Sequence, residues 1–134
     1  MNNTEKNRRV MTHVMNALVD GDARPFVDAM DVDFTWVMPG SKMAGKWEGK
    51  EHVLEGLLRP LVAQFETTYK NRPRRIFTDG AYVIIECKGD VMTKTGHHYA
   101  NDYCWIIQMA DGKMKELTEY MDTALVNEKL EPLS

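Results

Sequence analysis

Apolar residues at Val10, Met11, Val14, Met15 and Leu18 recur at three- and four-residue intervals, which predicts a helix over residues 4–19 with one buried face. Asn3 or Thr4 is placed to cap its start, and Gly21 to end it. Asp22 then caps a short second helix over 23–30, with Pro25 in the first turn, where a missing N–H is tolerated. A strand over 32–38 follows, stopped by Pro39-Gly40, and a loop over 41–49 carries Gly45, Trp47 and Gly49. Val53, Leu54, Leu57 and Leu58 mark a third helix from Lys50 to about Leu58, and Pro60 predicts a break or a new short turn before Phe65. Four strands come next, over about 67–78, 81–91, 98–109 and 113–121. Asp79-Gly80 and Asp111-Gly112 are hairpin turns between them. Asp122 caps a final helix over 123–129.

Helices first and an antiparallel meander afterwards predict an α+β fold, with the helices packed on one face of a curved sheet. At 134 residues the chain is read as a single domain, 1–134, able to bury a core without disulfides or a structural metal. No repeat, linker or low-complexity segment interrupts it.

Composition changes this picture only slightly. The formal net charge of −3 is ordinary, and the basic cluster Lys70-Asn71-Arg72-Pro73-Arg74-Arg75 reads as a solvated strand edge, so no nucleic-acid partner is expected. No stretch approaches the roughly 20 apolar residues of a membrane span, and the N-terminus does not resemble a signal peptide. A cytoplasmic protein is expected. Cys87 and Cys104 have no metal or redox spacing and read as small reduced hydrophobic residues. Adjacent His97 and His98 point to opposite faces of a strand, so no metal site is expected there. The ten methionines suit irregular cores or pockets for apolar ligands.

The chemistry concentrates in the run from Gly96 to Asp122. Period two gathers Asn101 and Tyr103 on one side of their strand, and Leu117, Glu119 and Met121 on one side of the next. A face mixing Trp, Tyr, Asn, Glu and Met suits a ligand cavity better than a dry core.

Several short motifs, in order, strengthen that reading. They are Leu18-Val19-Asp20-Gly21-Asp22, Trp36-Val37-Met38-Pro39-Gly40, Gly45-Lys46-Trp47-Glu48-Gly49-Lys50, Asp79-Gly80, Gly112-Lys113 and Glu119-Tyr120-Met121-Asp122. Together they resemble the SnoaL-like, polyketide-cyclase-like branch of the NTF2-like superfamily, which also holds ketosteroid isomerases and limonene epoxide hydrolases. The resemblance implies a cone-shaped α+β barrel, a pocket between the helices and the concave sheet, and a homodimer through the sheets. Fold alone does not fix the chemistry.

Carried over by residue, the resemblance excludes some reactions. A steroid-isomerase site requires a carboxylate before the first-strand proline, and here Met38 stands there. Its hydroxyl and acid donors would fall near Val14 and Cys104, which cannot serve. An epoxide-hydrolase pair would fall on Glu86 and Lys88, with Glu119 as the facing acid, but the order of charges is reversed. A cyclase-like site would use Glu119 as the proton-transfer carboxylate, with Asp122 competing but read as a helix cap.

Period two places Tyr82, Ile84, Glu86 and Lys88 on one face, and the resemblance implies that this face lines the same cavity. The expectation is therefore a catalytic cluster of Glu119, Glu86 and Lys88, with Asn101, Tyr103, Trp36, Met38, Trp105 and Met121 contacting the substrate. The implied function is binding of a small hydrophobic molecule, with isomerase, cyclase or hydrolase chemistry that uses no cofactor. The alternative is a non-catalytic ligand-binding or dimeric interaction domain.

Overall fold

The structure, a computed structural model, describes residues 2–40 and 42–133. Helix α1 (Asn3–Val19) buries Met11, Val14, Met15 and Leu18. Its cap is neither expected residue: the Asn2 side chain accepts from the Glu5 N–H at 2.9 Å. Thr4 serves elsewhere, its hydroxyl accepting from the Gly80 N–H at 2.9 Å, which ties the helix to a hairpin turn. Helix α2 (Arg24–Asp28) is shorter than predicted and drives Phe26 inward.

Strand β1 (Met30–Met38) is followed by β2 (Gly45–Glu48), which pairs with it antiparallel inside the segment predicted as loop. Four mostly exposed residues with a glycine leave little strand signal, so only the pairing reveals β2. Helical turns then run without a break: α3 (Lys50–His52), a π-helical segment (Val53–Leu58) and α4 (Arg59–Val62). Of the break or new short turn expected at Pro60, the short turn, α4, is what forms. Pro60 lies in the first turn of α4, directly after the widened π turns, which ease its ring past the carbonyl it would otherwise strike.

Strands β3 (Lys70–Asp79), β4 (Tyr82–Met92), β5 (His98–Tyr99), β6 (Asp102–Ala110) and β7 (Lys113–Met121) lead to α5 (Thr123–Lys129). Asp122 caps α5 as predicted, accepting from the Leu125 N–H at 3.2 Å. The strand predicted over 98–109 is divided at Ala100 and Asn101. The Asn101 side chain is engaged there with the backbone of Asp122, accepting from its N–H and donating to its carbonyl. The order across the sheet is β2-β1-β7-β6-β4-β3, with β5 beside β4, and among the described residues only β1 and β7 run parallel. Helices thus pack against a strongly curled, mainly antiparallel sheet, the predicted α+β cone.

The core fills the concave side, where Phe34, Leu57, Ile85, Ile107, Met114 and Leu117 are fully enclosed. Removing each such side chain from water contributes about 1.5–3 kcal/mol. Among the described residues no helix is long and apolar enough to cross a membrane.

Candidate functional site

The open end of the cone holds a cavity of about 630 Å³. The sheet supplies Trp36 and Met38 from β1, Tyr103 and Trp105 from β6, and Glu119 and Met121 from β7. The helical side supplies Leu18, Phe26, Leu54, Leu58 and Leu61, and exposed Arg59, Glu66, Thr67 and Thr68 lie at the rim. The register explains the convergence. Trp105 stands opposite Glu119, Trp36 opposite Leu117 and Tyr103 opposite Met121, and cross-strand partners share a face.

Glu119 is the only carboxyl buried in this wall among the described residues. The Trp105 indole N–H donates to its Oε2 at 2.7 Å. The Trp36 indole N–H faces the same carboxyl and helps to hold its charge, but lies outside good hydrogen-bond geometry and is left without a partner. Phe26 fixes both indoles, its ring 5.6 Å from each. Among the described residues no cationic side chain pairs with Glu119. Burial therefore pushes the carboxyl up to about 7, against the opposing pull of the two indoles.

Glu86 and Lys88 do not join it. Glu86 pairs with Arg75, and Lys88 lies 3.6 Å from Asp102, all on the convex, solvated face. The expected Glu86–Lys88–Glu119 cluster is corrected by the register. Ile85 stands opposite Trp105 and Cys87 opposite Tyr103, whereas Glu86 and Lys88 stand opposite Cys104 and Asp102. The strand itself carries the signal. Ile85, Cys87, Gly89 and Val91 alternate with Glu86, Lys88 and Asp90, so the apolar set belongs inside.

Asn101 is fully buried but sits behind the wall rather than lining it. Its Nδ2 donates to the Tyr99 hydroxyl at 2.9 Å. Tyr99 and Tyr69 were not singled out in the sequence, yet both line the cavity beside Tyr103. The legible signal is a repeated Tyr-x-Asn: Asn71 Nδ2 donates to the Tyr69 hydroxyl at 3.0 Å as Asn101 does to Tyr99. Burial raises all three phenols, and the nearby Glu119 charge adds to it, so they are neutral hydroxyls across the physiological range. Gly89 leaves room for this group, since a Cβ there would lie 2.5 Å from the Tyr69 hydroxyl oxygen.

Fold and cavity define the class: a curled-sheet α+β cone enclosing an apolar pocket with one buried carboxyl. The chain belongs to the SnoaL-like domain family, whose model matches residues 11–117. No curated protein matches the chain. Among solved structures it is similar to Bal32a from a soil-derived mobile gene cassette, with 19% identity over 97% of this chain and 100% of that one and a TM-score of 0.83. It is also similar to TerC, co-crystallised with polyporic acid, with 20% identity over 92% and 96% and a TM-score of 0.77. An NTF2-like protein from Anabaena variabilis ATCC 29413 gives 22% identity over 90% of each chain and a TM-score of 0.72. At such identities these likenesses concern the fold.

Proposed function

We propose that the cavity binds a small hydrophobic molecule and that Glu119 exchanges a proton with it, as in an isomerase or an intramolecular cyclase. The observation that carries this reading is a lone carboxyl enclosed in an apolar cavity, held by an indole N–H and no cation. A carboxyl titrating near 7 is populated in both forms at neutral pH, the condition under which it can serve as acid or base. Trp36, Met38, Trp105, Tyr103 and Met121 contact the ligand, and Asn101 acts through Tyr99. Hydrolysis by a charged pair loses its support, because Glu86 and Lys88 face away from the cavity. That TerC, of the same fold, was co-crystallised with polyporic acid is in keeping with a small-molecule ligand.

Mass spectrometry of small molecules co-purifying with the native protein and with Glu119→Gln tests the reading. A hydrophobic compound retained by the native chain and depleted from the variant is expected. Identical profiles would remove Glu119 as an anchor.

The protein acts as a homodimer in this reading, joined through the convex sheet face. Phe77, Ile84, Ile106 and Thr118 form one cross-strand row there, beside exposed Tyr120 and Tyr82. An apolar row on a solvated sheet is the usual mark of a protein contact. Ile106→Arg is expected to shift the sedimentation of the native protein from dimer to monomer. A native protein that sediments as a monomer defeats this part of the proposal.

A further inference from the structure

The helical wall of the cavity has solvent on its other side. Leu54, Leu58 and Leu61 line the cavity from the π-helical segment and α4, while Arg59, Val62 and Ala63 beside them are exposed. Helix α4 packs mainly on the π turns before it, and such turns are rare, short insertions found often at functional sites. The far end of this wall is fixed at Gln64, whose carbonyl accepts from the Lys94 N–H at 2.9 Å. The Gln64 side chain also binds the C-terminal segment twice. Its Nε2 donates to the Glu131 carbonyl and its Oε1 accepts from the Glu131 N–H, both at 2.9 Å. The sequence prepares this match, because Pro132 biases Glu131 toward extended backbone. There the N–H and C=O of one residue point to the same side, within reach of a single amide. The segment is rooted just before this point. Val126 and Leu130 are buried, and Lys42 Nζ donates to the Leu130 carbonyl at 3.0 Å. Both Gln64 side-chain bonds, in contrast, are exposed to water that competes for them. A firm root and a weak, exposed tie are the parts of a latch, and local opening begins at such ties.

We propose that residues 53–62 form a gate to the cavity, latched by Gln64 on Glu131, and that ligands enter and leave when this pair parts. The proposal rests on the reading of the cavity as a ligand site, and it adds how that site exchanges with solvent. Removing the latch stabilises the open form against the closed one, whether or not a ligand is inside. Entry and release then quicken by the same factor. Affinity holds, because the closed form remains the major one.

The test is stopped-flow binding of N-phenyl-1-naphthylamine, a neutral apolar fluorophore, to the full chain and to Gln64→Ala. The variant is expected to take up and release the probe roughly tenfold faster, the effect of losing a pair of exposed hydrogen bonds. Its Kd is expected to stay within about twofold of the native value. Unchanged rates, or a weaker Kd carried by dissociation alone, overturn the gate and leave the cavity reading intact. A native protein that does not bind the probe overturns the cavity reading, and the gate with it. Should Gln64→Ala not fold, hydrogen exchange in the native protein decides. The amides within 54–62 and that of Glu131 are expected to exchange at one common rate and to be slowed together by the probe. Separate rates overturn the proposal.

Discussion

Glu119→Gln is expected to make the protein more stable at pH 8 by roughly 3 kcal/mol, and to change little near pH 4. The folded carboxyl titrates at about 7 and an unconstrained one at 4.5, because folding removes the group from water. A folded-state pKa raised in this way favours the folded protein fully below 4.5. That contribution is lost as pH rises through 7, where the charged form has to be buried. About 2.5 units at 1.36 kcal/mol each give the magnitude. Glutamine keeps the acceptor for the Trp105 N–H and carries no charge. Exposed ion pairs such as Arg75–Glu86 are common to both proteins and cancel in the difference. Urea unfolding of both proteins from pH 4 to 8 measures it. Parallel stability curves would show that Glu119 is solvated and titrates normally.

The other large effect is expected at Phe34, which is fully buried on β1 and packs edge-on against Trp36 with centroids 6.2 Å apart. Phe34→Ala should cost about 3–5 kcal/mol, the loss of an aromatic side chain plus the void it leaves. Chemical denaturation reads the loss, and a cost under about 1 kcal/mol would show that the neighbouring side chains collapse into the space. Trp36 leans on this ring, so the same substitution loosens one wall of the cavity.

Local chemistry was legible in the chain, and relations between distant segments were less so. The α1 face follows from spacing alone, and the Asp111-Gly112 turn from a need for positive φ at both positions, seen at 52° and 75°. The cavity positions of Trp36, Met38, Tyr103, Trp105, Glu119 and Met121 followed from strand alternation together with the family resemblance. The same resemblance misplaced Glu86 and Lys88, because a one-residue slip exchanges every side chain between faces. Here the alternation of Ile85, Cys87 and Val91 was the better guide. Strand β2 was invisible because its pairing with β1, not its composition, creates it. The Tyr-x-Asn pairs escaped notice for a related reason. A hydrogen bond between neighbours acquires chemical meaning only when the fold turns both hydroxyls into one cavity.

Gly89 closes this account, because its role is to be small. The Tyr69 ring occupies the volume that any β-carbon at position 89 would need. The two positions are therefore coupled by space. A side chain at 89 would force the Tyr69 ring to move, and with it one of the three hydroxyls. Part of the pocket's polarity is thus written twenty residues downstream of Tyr69, in a residue that contributes no functional group at all.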